Sequence, residues 1–204
     1  MKNKRIWLTG LVVSMIVTVA ATSPVRLAAQ CGGDCPPFTP PSGPNLLANP
    51  DFEIVGPCGG FTWWFQNQGN CGTNSAADVW QTHSSNQGAL LRTTSVASTL
   101  PIGGQARMLR IIAGGNEGGV FQSVPLGPVK VMASVWVFVR RGHVVLGTDF
   151  ATVGRYSWNT KVGEWELLRV CTDGSFSVDG FFVYNEDPAG GDFVIDRAEL
   201  KAIN

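Results

Sequence analysis

The chain has 204 residues, with 15 Lys and Arg balanced by 15 Asp and Glu. Such a balance excludes the strongly basic face that nucleic-acid binding normally needs. Twenty-five glycines and 12 prolines point away from a helical bundle and toward a turn-rich β protein.

The first element is an export signal. Lys2, Lys4 and Arg5 precede an uncharged, almost wholly apolar run over 6–21. Pro24 then breaks any helix, and Leu27, Ala28 and Ala29 offer a small residue before a cut. This layout predicts a signal peptide, residues 1–29, cleaved between Ala29 and Gln30. No later segment is long and apolar enough to span a membrane, so none is expected after cleavage. Loss of Lys2, Lys4, Arg5 and Arg26 would leave 11 basic against 15 acidic residues, a net charge of −4. The expected location is secreted, extracellular or periplasmic.

Residues 30–44 are rich in Cys and Pro and read as an extended, semi-rigid linker. A folded domain is expected over 45–204. Short apolar alternations then recur between Gly and Asp turns. They predict strands over 109–112, 129–140, 144–150, 165–171, 177–184 and 193–200. In the clearest, Val129, Val131, Ala133, Val135, Val137 and Val139 share one side. Residues 63–86 read as long loops around one or two strands. The pattern predicts an all-β sandwich or barrel.

Five cysteines, Cys31, Cys35, Cys58, Cys71 and Cys171, fit disulfides in an exported chain. Cys58 and Cys71 flank one loop and are the expected bridge. Cys31 could pair with Cys35, which would leave Cys171 over. Neither His83 nor His143 is spaced to complete a metal site with a cysteine pair.

Two segments carry a family resemblance. NLLANPDFE (45–53) opens the domain and DFVIDRAEL (192–200) closes it. RMLRI (107–111), VFQSV (120–124), ASVWV (133–137) and GEWEL (163–167) lie between them in order. Together they resemble the galactose-binding-like β-sandwiches of carbohydrate-binding module families 4, 9 and 22. The resemblance implies a jelly-roll β-sandwich whose first and last strands lie side by side, bringing Glu53 and Asp196 together. Two such carboxylates repel unless a cation sits between them, and calcium favours carboxylate and carbonyl oxygens. The implied structural calcium would use the Glu53 and Asp196 side chains with the backbone carbonyls of Asp51 and a residue near Gln105. Trp136 and Trp165 match positions that look structural in these modules.

The resemblance further implies a polysaccharide or oligosaccharide partner on the concave sheet. Tyr156 and Trp158 alternate, so they share a strand face, as do Phe182 and Tyr184. These four could stack on sugar rings. Gln122, placed by the resemblance, and Arg140, the polar end of a strand, could add hydrogen bonds.

Catalysis finds no constellation. There is no Gly-x-Ser-x-Gly elbow, His83 and His143 read as loop residues, and the carboxylates of the turns share no evident pocket. The sequence therefore predicts a non-catalytic carbohydrate-binding protein. The alternative is a structural or adhesive surface protein that uses the same sandwich for protein contacts or self-association.

Overall fold

The computed structural model describes residues 41, 43–54, 56, 61–63, 80–83, 89–94, 107–149 and 156–203; for 61–63, 82–83 and 89–94 only the backbone is described. The predicted signal peptide, Gln105, Cys58 and Cys71 lie outside these residues. No described helix is long and apolar enough to cross a membrane.

The described elements are all strands: β1 (Phe61–Trp63), β2 (Gln81–His83), β3 (Ala89–Thr94), β4 (Met108–Ala113), β5 (Gly118–Pro128), β6 (Val131–Arg141), β7 (Val144–Gly147), β8 (Tyr156–Trp158), β9 (Trp165–Cys171), β10 (Ser177–Asn185) and β11 (Gly191–Ala202). They form two antiparallel sheets. One has six strands in the order β1-β3-β4-β11-β6-β9; the other has five, β2-β5-β10-β7-β8. The chain is the predicted β-sandwich.

Period-2 alternation builds the core. Val131, Ala133, Val135, Val137 and Val139 of β6 all point inward and are buried. Phe193 and Ile195 of β11, Leu109 and Ile111 of β4, and Leu168 and Val170 of β9 complete the inner face of the six-stranded sheet. Val120, Phe181, Val183, Val144 and Leu146 come from the other sheet to meet them. Burying a Val, Leu or Phe side chain contributes ~1.5–3 kcal/mol, so this interdigitated layer is the main source of stability.

The opening segment differs from expectation. Residues 45–53 were predicted as a strand and form none. The predicted adjacency to the last strand nevertheless holds. Leu46 N donates to Leu200 O, Ala198 N donates to Pro50 O, and the Asn45 side chain bonds both Ala198 O and Leu200 N. The chain cannot continue as a strand because Asn49 and Phe52 take positive φ, 46° and 56°. Asn49 closes the resulting loop by bonding both backbone groups of Ile54. Phe52 is then driven into the core against Trp80, with ring centroids 4.9 Å apart.

Gln122 anchors this segment from the opposite sheet. It lies across from the core residue Phe181 in the β5–β10 register, so its side chain points inward. There it accepts from Ala48 N at 2.7 Å and donates to Ala48 O at 2.9 Å. Gln122→Ala should lower the unfolding free energy by about 2 kcal/mol in denaturant titration, since two bonds are lost and buried backbone groups are orphaned.

Candidate functional site

The outer face of the five-stranded sheet gathers the aromatic residues. Register fixes them. Phe182 of β10 stands opposite Phe121 of β5 on one side and Gly147 of β7 on the other; Gly147 in turn faces Tyr156 of β8. The next row outward runs Gly119, Tyr184, Val145, Trp158. Directly opposed residues share a face, so Tyr156, Trp158, Phe182 and Tyr184 all turn away from the core. All four were predicted to share such a face, and the structure brings them onto one.

Their exposure differs. Phe182 is closed off and stacks on Phe121 at 5.6 Å, the rings only 12° from parallel. Tyr156 and Tyr184 are part-buried. Trp158 is 43% exposed. Two glycines make the face shallow. A Cβ on Gly147 would meet the Tyr156 ring at 2.8 Å, so that ring lies low across the sheet. A Cβ on Gly119 would meet Tyr184 and the Val183 carbonyl. The result is a row of aromatic residues in which the Tyr156 ring crosses over Gly147.

Polar groups border this row. Tyr184 Oη lies 3.3 Å from Glu186 Oε1, and Glu186 Oε2 lies 3.5 Å from His143 Nδ1. The His143 ring is 6.4 Å from Trp158. Burial raises the Tyr184 hydroxyl pKa well above the usual tyrosine value, with Glu186 adding to it. Burial raises the Tyr156 hydroxyl pKa too, helped by Asp149 and Glu186. Both hydroxyls are therefore held protonated, as hydrogen-bond donors. At the other end Asp149 is raised by burial and by Asp179, and its Oδ1 is buried with no hydrogen-bond partner. Sequence reasoning assigned Glu117, His143, Asp149, Asp179 and Glu186 no place in a binding site, because such polar positions carry no periodic signal that joins them to the aromatic residues.

Two predicted site residues fall elsewhere. Gln122 faces the core, as described above. Arg140 lies on β6 of the six-stranded sheet and points away from the core, toward Asp192 at 3.8 Å. Asp192 is held below the usual carboxylate range, chiefly by its hydrogen bonds to Arg110. His83, expected in a loop, is in β2. Trp136 and Trp165 stand on the outer face of the six-stranded sheet, where they pack with Phe138 around Met108 and Val194. Cys171, expected to be left over, is disulfide-bonded, with its partner outside the described residues.

A second cluster lies where the opening segment meets β11. Asp196 is wholly buried, and its pKa is pushed up to about 7 by desolvation, with the Asp51 and Glu53 charges adding to it. Asp51 is raised by burial and by Glu53 and Glu199, while Arg197 opposes. A cavity of about 400 Å³ beside them is lined by Asn45, Pro50, Asp51, Arg197, Ala198 and Glu199. The cluster fits a cation at one decisive point: Asp196 Oδ2 is buried with no hydrogen-bond partner, while Oδ1 accepts from Arg197 N. Glu53 Oε1 already accepts from Arg107 N, and the Arg107 guanidinium donates to the Glu53 carbonyl. Among the described residues no group of three His, Cys, Asp or Glu side chains is placed to hold a metal ion. Any bound ion would therefore draw part of its shell from backbone oxygens.

With this geometry in place, the chain can be set beside solved structures. Several carbohydrate-binding modules match it, each at low identity and with a TM-score below 0.5. A family 61 module in complex with β-1,4-galactotriose is 15% identical, covering 78% of this chain and 99% of that one, with a TM-score of 0.49. The xylan-binding CBM22-1 domain of Paenibacillus barcinonensis Xyn10C is 14% identical, covering 81% and 99%, also at 0.49. The family 11 module of the cellulosomal cellulase Lic26A-Cel5E of Clostridium thermocellum is 13% identical, covering 71% and 95%, at 0.43. No family model matches the sequence. No curated protein matches it either. Likeness at this level concerns fold; function has to come from the side chains.

Proposed function

We propose that the protein is a secreted, non-catalytic carbohydrate-binding protein whose aromatic face on β7, β8 and β10 holds a glycan. The observation that carries this is the placement of Tyr156, Trp158 and Tyr184 on one outward face, with Trp158 nearly half exposed. Sugar rings present apolar C–H faces that stack on aromatic rings, and their hydroxyls seek fixed donors and acceptors. The face supplies both kinds: tyrosine hydroxyls as donors, Glu186 and Asp149 as acceptors. Binding sites of this kind combine apolar surface with a few placed polar groups. Asp149 and Asp179 sit close enough for their charges to interact, but the acidic groups here surround an aromatic platform rather than a reactive pocket.

A structural calcium at the second cluster is part of the same proposal. Asp196 and Glu53 would supply the side chains, and the backbone carbonyls of Asp51 and Gln105 further oxygens. Calcium takes carboxylate and carbonyl ligands at 2.3–2.6 Å in flexible geometry. Its role there would be to pin the opening segment to β11.

The test is affinity electrophoresis of the purified protein through gels containing neutral plant and microbial polysaccharides. Retardation by at least one polysaccharide is expected. Trp158→Ala should weaken it at least tenfold, because exposed aromatic anchors commonly contribute more than about 1.4 kcal/mol to binding. The melting temperature should barely move, since the residue is half in solvent. Equal retardation of the variant would remove Trp158 from the site.

One observation favours a second reading. Trp136, Phe138 and Trp165 form an outward aromatic cluster on the six-stranded sheet, and Trp165 Nε1 is buried without a hydrogen-bond partner. A structural or adhesive protein would use such a patch for self-association. Sedimentation that shows a concentration-dependent oligomer, lost in Trp136→Ala, would support that reading.

A further inference from the structure

The charges around the aromatic face have one sign. Glu186 and Glu117 act on Tyr184, and Asp149 and Glu186 act on Tyr156. Asp179 N donates to Thr148 O at 3.0 Å, which sets it beside Asp149, and Glu117 N donates to Asn185 O at 2.6 Å, next to Tyr184. Four elements contribute these groups: the β4–β5 turn gives Glu117, the segment after β7 gives Asp149, β10 gives Asp179, and the segment after β10 gives Glu186. His143 is the cationisable group among them, and it faces Glu186.

The Lys and Arg side chains with described partners are engaged elsewhere. Arg107 bonds Glu53. Arg110, Arg140 and Arg141 gather at Asp192 by the other sheet. Lys161 and Lys201 pair with Glu164 and Glu199. Lys130 lies in the β5–β6 turn, Arg169 in β9 and Arg197 in β11. Arg110, Arg140 and Arg141 thus gather with Asp192 on the six-stranded sheet, while Glu117, Asp149, Asp179 and Glu186 border the outer face of the five-stranded one.

We infer that this acidic rim makes the aromatic face selective for uncharged glycans and repels polyuronates and sulfated chains. The inference rests on the proposed glycan-binding role of that face. A glycan laid across Tyr156, Trp158 and Tyr184 passes between Asp149 and Asp179 at one end and Glu117 and Glu186 at the other. Carboxylates accept hydrogen bonds well from sugar hydroxyls. A uronate or sulfate laid there meets like charge, and such juxtaposition opposes binding. Selectivity here comes from repulsion built around an otherwise permissive aromatic surface.

The experiment compares retardation by neutral β-1,4-galactan and xylan with retardation by polygalacturonate and a sulfated galactan, at low and at high salt. A variant carrying Asp149→Asn, Asp179→Asn and Glu186→Gln is run beside the wild type, with circular dichroism to check folding. The expected result is binding to a neutral polymer, with the charged polymers at least tenfold weaker at low salt. That gap should narrow at high salt, where charges are screened, and should narrow in the variant. Equal or tighter binding of a charged polymer overturns the inference and leaves the glycan-binding role standing. A gap that neither salt nor the variant changes also overturns it, because shape would then be the discriminator. Binding to no polymer of either kind would remove the glycan-binding role, and this inference with it.

Discussion

Asn185→Ala is expected to lower the unfolding free energy by about 3 kcal/mol. Asn185 is wholly buried at the end of β10. Its Nδ2 donates to Gly115 O at 2.9 Å and to Asp187 O at 2.7 Å, and its Oδ1 accepts from His143 N at 3.1 Å. One amide thus ties the β4–β5 turn, the β6–β7 turn and the segment after β10. Two glycines keep room for it: a Cβ on Gly142 or Gly191 would meet Oδ1 at 2.4 or 2.7 Å. Alanine would leave two carbonyls and one amide without their side-chain partner. For a domain of this size the melting temperature should fall by roughly 10 °C. Asn185 also sets the positions of Glu117, His143 and Glu186, which border the aromatic face, so binding should weaken in the fraction still folded. A loss below about 1 kcal/mol would show that the turns hold themselves.

The second large effect concerns Asp196. Its carboxyl has a pKa of about 7 in the folded chain against 3.8 for the unperturbed group, because burial disfavours the charge. The folded state therefore holds a proton that the unfolded state releases between these values. Stability in chelator should fall as pH rises from about 4 to about 7 and level off above, by up to about 4 kcal/mol from this group. Asp196→Asn, which stays neutral, should flatten this part of the profile. Calcium should reverse the trend, because a bound cation favours the ionised carboxylate and stabilises only the native state. With millimolar calcium at pH 7 the melting temperature should rise by several degrees, and the gain should disappear in Asp196→Asn. An unchanged melting temperature with and without chelator would count against the ion. A chelated protein that is equally stable at pH 4 and pH 7, and indistinguishable from the Asn variant, would count against the buried carboxyl.

Much of the fold was legible because alternation is a local property. Val131 to Val139 announce an inward face by themselves, and Trp165–Cys171 was bounded correctly by its flanking turns. The pairs Tyr156 with Trp158 and Phe182 with Tyr184 were readable for the same reason. What alternation cannot give is the partner strand. Gln122 follows Phe121 in β5, and only the register opposite Phe181 shows that it faces the core. Arg140 ends a strand whose sheet membership no local pattern reveals. Trp136 and Trp165 pack against each other's neighbours across β6 and β9, on the side away from the core. The opening segment was expected to be a strand because residues 45–53 resemble the first strand of the modules named above. Its left-handed turns at Asn49 and Phe52 are imposed by tertiary contacts with β11 and Trp80. The acidic rim was invisible for a different reason: its members come from separate turns and from β10, and meet only when the sandwich closes.

The central claim is that glycan sits on the outer face of the five-stranded sheet. It is tested most directly by titrating the isotope-labelled protein with the neutral oligosaccharide that affinity gels select, and following backbone amide shifts. The account predicts saturable shifts concentrated at Val145, Gly147, Tyr156, Trp158 and Tyr184, with the amides of Trp136, Phe138 and Trp165 unmoved. Shifts centred on those three residues, or no saturable shifts at all, would contradict it.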